Sequence, residues 1–339
     1  MSVYTHLSAS EVADYLTQFS LGEYHNHQGI SAGVENTNYF VEAILNGRQQ
    51  TYVLTIFEHH DTAEVESFIA IGRHLAEKDV PVPGPIADAQ GAYLHVLKNK
   101  PAILCPCLPG SHPDTLTPDH CQQIGAALAR FHLAGEGLGG LEANNRGLQW
   151  WPEVGRTLIQ TSLAAGSLAE TLLTEEQQTV LMDEIEFQES HTELWYELPR
   201  GLIHGDLFHD NALFEINKKD GDKLGAILDI YNSCEDAWLF DLAIVANDWC
   251  ANSIGIWREG CLPALMSGYQ SVRELTPLEQ QSWGLCLRGA ALRFWLSRLV
   301  TQQHQAEMIA KDPMAALVTT EKDPMEYFLK LVSHRETEY

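Results

Sequence analysis

The 339 residues, 45% of them hydrophobic, suffice to bury a large single core or the cores of two lobes. With 46 acidic and 21 basic side chains the net charge is −25, and no basic stripe interrupts it, so nucleic acid is excluded as a partner. No apolar run approaches the roughly 18 residues of a membrane span, and Met1-Ser2-Val3-Tyr4-Thr5-His6 carries neither a basic nor an apolar signal region, so a cytoplasmic chain without membrane contact is expected.

Val12, Tyr15, Leu16 and Phe19 recur at helical spacing after Ser8 or Ser10, predicting a short helix within residues 8–21. From Tyr24 the pattern is extended: a polar turn over residues 30–38 precedes strands at 39–45 and 50–57, joined by Asn46-Gly47 as an antiparallel hairpin. Asp61 and Glu64 form a capping box for a helix whose apolar face is Val65, Phe68, Ile69, Gly72 and Leu75, ended by Pro81-Val82-Pro83-Gly84-Pro85. Strands at 92–97 and 102–104 flank an Asn99-Lys100-Pro101 turn. The stiff stretch Cys105-Pro106-Cys107-Leu108-Pro109-Gly110 marks the boundary, giving lobes 1–104 and 105–339 with a hinge near 105–110.

Thr117-Pro118 opens a helix carrying Ile124, Leu128 and Phe131 and ending near Gly135. A Gly- and Asn-rich loop at 137–147 leads to helices at 153–164 and 174–196, and further helices begin at Asp241, Leu262, Pro277 and Arg288. Seven cysteines without paired spacing read as reduced thiols, and Cys105-Pro106-Cys107 lacks the second cluster a zinc site needs. The expected fold class is α+β: an N-terminal antiparallel sheet lobe with one main helix, and a larger, mostly helical C-terminal lobe.

The stretch Leu202-Ile203-His204-Gly205-Asp206-Leu207-Phe208-His209-Asp210-Asn211 carries the chemistry. Asp206 and Asn211 keep the spacing of the kinase catalytic loop, H-R-D-x-x-x-x-N, with Gly205 in place of Arg. An Asp at that apex accepts the proton of an attacking alcohol; Asn211 offers a neutral oxygen, and Asp229, behind Ala226-Ile227-Leu228, a charged one to Mg²⁺. ATP and Mg²⁺ are thus the expected cofactors. Taken singly, each residue reads more readily as a turn cap, a backbone-satisfying side chain or a strand-terminal surface residue; their combination favours phosphoryl transfer. His204 braces this loop and Asp241 anchors it.

In the first lobe, Ser31, Gly33, Asn36 and Asn38 belong to a turn suited to covering phosphates. Val53, Cys105, Cys107 and Leu108 are placed to face the nucleotide. Thr55 stands where V-A-I-K has its phosphate-binding Lys. Arg48, His59 and His60 are poor substitutes, and no glutamate partner is assigned, Glu64 and Glu66 reading as surface residues.

His204-Gly205-Asp206 resembles the aminoglycoside and choline phosphotransferases, and nearly the whole chain resembles one branch with that protein-kinase-like bilobal fold, the aminoglycoside-phosphotransferase-like homoserine kinases. The likeness rests on the segments at 29–39, 202–211 and 229–231, on Asn247-Asp248-Trp249-Cys250, on Arg288 to Phe294, and on Lys322-Asp323-Pro324-Met325-Glu326-Tyr327. It implies ATP-dependent phosphorylation of the side-chain hydroxyl of L-homoserine, a step toward threonine. The carboxylate of such a substrate needs a cation, for which Arg293, in a helix with Arg288 and Arg298, is the candidate; Tyr231, Asn247 and Asp248 are placed to line the same pocket. Competing readings are a kinase acting on an amino alcohol, sugar or aminoglycoside, and a nucleotide-binding regulator without catalysis.

Overall fold

The computed structural model describes residues 3–31, 35–165, 172–217, 219, 221–311 and 322–337. The first helix, α1 (Ala9–Leu16), begins in a capping box in which Ser8 Oγ accepts the Glu11 N–H and Glu11 Oε2 accepts the Ser8 N–H. Then follow β1 (Glu23–Ile30), β2 (Thr37–Leu45), β3 (Arg48–Ile56), α2 (Thr62–Glu77), β4 (His95–Leu97) and β5 (Lys100–Pro106). The strands form one antiparallel sheet in the order β1-β2-β3-β5-β4. Asn46 and Gly47, at φ 52° and 73°, make a two-residue turn that pairs Leu45 with Arg48, so β3 starts two residues before the predicted Gln50.

A second turn departs from expectation. Lys98 and Asn99 take the left-handed conformation, so the reversal precedes Lys100, and Pro101 lies inside β5 opposite Val96. The predicted strand at 92–97 shrinks to three residues. One sheet face packs Val41, Ala43, Leu54 and Leu104 against Val12, Tyr15 and Leu16 of α1. Phe57, Val65, Ile69, Ile103 and Cys105 form a separate cluster, which Tyr231 joins from the second lobe.

The second lobe contains α3 (Pro118–Ala134), α4 (Trp150–Ala165), α5 (Glu175–Ser190) and α6 (Thr192–Glu197) before the site. Short strands β6 (Arg200–Ile203), β7 (Ala212–Glu215), β8 (Lys223–Ile227) and β9 (Cys234–Ala237) pair as β6-β9 and β7-β8, both antiparallel. After them come α7 (Trp238–Val245), α8 (Cys261–Gln270), α9 (Pro277–Gln281), α10 (Trp283–Lys311) and α11 (Pro324–Glu336). The helix predicted over 174–196 divides at His191, which leaves helical geometry with φ −108° and ψ 16°. A single apolar core binds these helices, with Trp151, Trp249 and Trp295 fully enclosed.

Helices α3 and α8 approach closely because Gly268 has no side chain: a Cβ there would lie 2.0 Å from the Gln122 carbonyl oxygen. All seven cysteines are free. Among the described residues no helix is long and apolar enough to cross a membrane.

Candidate active site

The loop after β6 is shaped by hydrogen bonds to its own backbone. Asp241, fully buried on α7, accepts the His204 N–H at 2.7 Å through Oδ2 and the Gly205 N–H at 2.9 Å through Oδ1. Gly205 has φ +76° and lies so close to Asn232 that a Cβ would sit 3.0 Å from its carbonyl oxygen, which excludes the arginine of the kinase pattern. The His204 ring accepts the Asp206 N–H on Nδ1 at 3.2 Å and donates from Nε2 to the Leu228 carbonyl at 2.9 Å. These two bonds define a neutral tautomer.

Asn211 completes the frame. Its side-chain NH₂ donates to the Asp206 carbonyl at 2.8 Å, and its own carbonyl accepts the Leu228 N–H at 2.8 Å. Asn211 Oδ1 has no hydrogen-bond partner among the described residues. Asp229 follows with φ 58° and ψ 47°, a left-handed conformation that costs a non-glycine residue roughly 1–2 kcal/mol. The structure therefore joins Asp206, Asn211 and Leu228, the residue before Asp229, through four hydrogen bonds.

The electrostatics of this group are those of crowded carboxylates. Burial raises the Asp206 carboxyl above its usual range, while the charges of Arg293 and Lys322 pull it down. Asp229, open to solvent on one side, is pushed up to about 7, first by burial and then by Asp206, Glu35 and Asp210. Repulsion of this kind is relieved by a cation. The donor set, two hard oxygens, suits Mg²⁺. Among the described residues no three His, Cys, Asp or Glu side chains converge into a protein-only metal cage.

Behind the loop runs a buried relay that sequence reasoning missed. His132 on α3 donates from Nε2 to Asp241 Oδ2 at 3.0 Å and accepts the Tyr269 hydroxyl on Nδ1 at 2.9 Å. Arg273 donates to the Tyr269 oxygen at 3.3 Å and pairs with both oxygens of Glu279 at 2.9 and 3.1 Å. Burial holds the His132 pKa below its ordinary value, against the pull of Asp241. For Asp241, burial opposes ionisation, yet the His132 hydrogen bond, the two imidazoles and the His204 N–H keep its carboxyl low. A neutral His132 beside an ionised Asp241 satisfies both.

In the first lobe, Gly33 lies outside the described residues. Thr55 is buried and donates to Asn38 Oδ1 at 2.7 Å, across the register in which these residues pair. Asn36 Oδ1 accepts the Glu58 N–H at 3.4 Å, while Thr37 Oγ1 donates to Glu58 Oε1 at 2.6 Å; Glu58 also pairs with Lys100. The end of the turn is thereby stapled to β3 and β5. Ser31 is exposed. Val53 pairs with Cys105, whose thiol burial pushes up to about 12, and the Cys107 N–H donates to the Thr51 carbonyl. Leu108 follows, half-buried.

The residues expected to line a substrate pocket separate in use. Tyr231 packs on Phe57 and Phe68 at 5.1 and 5.4 Å, an inter-lobe contact. Asn247 is fully buried, donating to the Leu287 carbonyl and accepting from His334 Nε2 at 2.6 Å, so both ends of its amide tie helices together. Asp248 Oδ2 accepts both the backbone N–H and the Nδ1–H of His209 at 2.7 Å, holding the loop after β6 from outside.

Arginines on α10 divide likewise. Arg288 is bound to Glu184 at 2.6 Å, and Arg298 to Glu326 at 2.8 Å. Arg293 is buried at 6% exposure, its guanidinium 3.7 Å over the Phe294 ring, with no hydrogen bond or ion pair among the described residues. Burial lowers its pKa to about 10, and the charge of Asp206 is the first influence opposing that. Lys322, noted in the sequence within a family-like segment but given no role there, has its ammonium 3.1 Å from Asp210 Oδ2.

Residues 26–275 match the model of a family described as the phosphotransferase enzyme family. The chain is 39% identical over 334 residues to a homoserine kinase of Methylobacillus flagellatus, covering 98% of this chain and 95% of that one. It is 38% identical over 304 residues to a homoserine kinase of Cupriavidus taiwanensis, covering 88% and 87%. Among solved structures the fold is similar to that of an amicoumacin kinase in complex with AMP-PNP and Ca²⁺, with TM-score 0.66, 14% identity and coverage of 98% and 94%. It is also similar to a spectinomycin phosphotransferase in complex with ADP, with TM-score 0.58, 13% identity and coverage of 96% and 99%.

Proposed function

The chain belongs to the phosphotransferase enzyme family and, within it, to the homoserine kinases; from that premise we propose that it transfers the γ-phosphoryl group of ATP to the side-chain hydroxyl of L-homoserine. The observation that carries the acceptor is Arg293. A buried guanidinium without a carboxylate partner among the described residues, in the field of Asp206, is the complement of an amino acid carboxylate. An amino alcohol or aminoglycoside brings no such group and leaves this cation uncompensated.

Asp206 serves as the base. Its raised pKa makes it a better proton acceptor than an exposed aspartate, and the His204 and Asn211 bonds to its backbone fix where its oxygens stand. Asn211 Oδ1 and the Asp229 carboxylate hold Mg²⁺. When bound, the ion neutralises phosphate charge that Thr55 leaves unopposed. Ser31, Gly33, Asn36 and Asn38 cover the phosphates, with Thr55 fixing the Asn38 amide; Val53, Cys105, Cys107 and Leu108 border the base. The division at 105–110 puts nucleotide binding in residues 1–104 and catalysis in 105–339, in a chain working in the cytoplasm.

ATP consumption measured with and without homoserine and Mg²⁺, beside Asp206→Ala, tests this. Homoserine- and Mg²⁺-dependent turnover abolished in the variant is expected. Turnover with choline and none with homoserine overturns the acceptor; nucleotide binding without turnover on any alcohol points to a regulator.

A further inference from the structure

Resting on that reading, the remaining question is what supplies positive charge to the transferring phosphoryl group. Thr55 brings none, and its hydroxyl is already engaged with Asn38. Lys100, the nearest lysine on the neighbouring strand β5, is bound to Glu58 and to Thr5 Oγ1 at 3.0 Å. The catalytic loop itself offers His209, committed to Asp248, but no lysine or arginine.

Lys322 reaches this loop from the other end of the chain. Its ammonium lies 3.1 Å from Asp210 and 5.2 Å from the centre of the Phe208 ring, two residues of the loop that runs from Asp206 to Asn211. Its charge acts on both Asp206 and Asp229. The backbone that delivers it is fixed: Asp323 caps α11 by accepting the Met325 N–H at 2.8 Å, Pro324 opens the helix, and Arg298 donates to the Asp323 carbonyl at 2.6 Å. The side chain is less constrained. Lys322 and Asp210 are 59% and 49% exposed, and a solvated pair of that kind is worth about 0–1 kcal/mol, too little to hold the ammonium against a phosphoryl group.

We propose that Lys322 is a catalytic residue that contacts the γ-phosphoryl oxygens of ATP, replacing from the C-terminal lobe the cation absent at Thr55. In the step it serves, a bond forms between the homoserine hydroxyl oxygen and the γ-phosphorus. The bond from that phosphorus to the β,γ-bridging oxygen breaks, its electron pair leaves with ADP, and the hydroxyl proton passes to Asp206. Lys322 exchanges no proton; its charge offsets that on the three non-bridging oxygens as they move from donor to acceptor.

The test compares Lys322→Met, Lys322→Arg and Asp210→Asn in the full chain. Lys322→Met lowers kcat about a hundredfold or more, moves the homoserine KM less than about threefold and leaves the unfolding midpoint within about 2 °C. Lys322→Arg recovers part of the loss, and Asp210→Asn stays within about threefold of the parent. Titration calorimetry with Mg²⁺ gives a readout independent of the acceptor: the parent prefers ATP to ADP, and Lys322→Met loses that preference with ADP affinity unchanged. A kcat within threefold of the parent, a rise in homoserine KM alone, or an equal loss in Asp210→Asn overturns the proposal. A parent chain that forms no phosphohomoserine overturns the functional reading instead, and the ATP–ADP comparison still decides the role of Lys322.

Discussion

His204 Nε2 lies 2.9 Å from the carbonyl oxygen of Leu228, so one neutral imidazole ties the loop bearing Asp206 to the backbone that ends in Asp229. Its other nitrogen accepts the Asp206 N–H. Removing the ring unfastens the proposed base from the proposed metal ligand and strands a half-buried carbonyl. His204→Ala is expected to lose about 1–3 kcal/mol of stability, the cost of an unsatisfied buried polar group. kcat falls about a hundredfold, as displacement of reacting groups by an ångström entails. Denaturant melts beside steady-state kinetics check both; wild-type kcat in a folded variant contradicts the bridging role.

Asp241 anchors the same loop more deeply, accepting from the His204 and Gly205 backbones and from His132. Asp241→Ala leaves these donors in a dry interior and is expected to destabilise by about 3–5 kcal/mol. Asp241→Asn keeps one acceptor oxygen and loses less. Tyr269→Phe, one step further along the relay, removes the hydroxyl bond to His132 and the longer one from Arg273 and loses about 1–2 kcal/mol. Urea unfolding of the three variants should give that ranking; equal losses would mean that the relay does not converge on Asp241.

Much of this was legible from local pattern because its causes are local. The boxes at Ser8/Glu11 and Asp61/Glu64, the Thr117-Pro118 helix start and the Asn46-Gly47 turn depend on residues within a few positions. The Asp206–Asn211 spacing is equally local. His132 and Tyr269 stand 137 positions apart, and Lys322 and Asp210 stand 112 apart, so only the packed lobe brings them together. Nothing near His132 distinguishes it from the other histidines of the 15. The turn at Lys98 and Asn99 was misplaced because Pro101 drew the expectation downstream, whereas proline fits β5 opposite the short edge strand β4. Arg293 could be singled out from its apolar neighbours, whereas the partners of Arg288 and Arg298, Glu184 and Glu326, come from other helices and were not legible.

With Arg288 and Arg298 neutralised by glutamates, Arg293 is the arginine of α10 without a carboxylate partner among the described residues, and so the one proposed to meet a substrate carboxylate. Arg293→Met removes a charge-assisted bond of about 1.5–3 kcal/mol, so the homoserine KM should rise roughly 10- to 100-fold while the ATP KM stays near the parent value. Arg293→Lys keeps the charge without the fork and should fall between. An ATP KM that rises in parallel would place Arg293 at the nucleotide.

The hydrogen bond from His334 Nε2 to Asn247 Oδ1, 2.6 Å, gives the fold a pH dependence. Burial, reinforced by Lys330 on α11 and Arg288 on α10, lowers the His334 pKa to about 4. An unfolded histidine titrates near 6.5. Between those values the unfolded chain takes up a proton that the folded chain refuses, so His334 contributes nothing adverse above pH 6.5 and destabilises progressively as pH falls toward 4. The full span corresponds to about 3 kcal/mol. Other groups titrate over the same range, so the informative quantity is the difference between the parent and His334→Gln, which keeps a donor for Asn247 but takes no proton. The parent's stability relative to the variant should decline as pH is lowered from 7 to 4.5 in urea melts. A difference that stays constant across that range would show that folded His334 binds its proton as readily as an unfolded one.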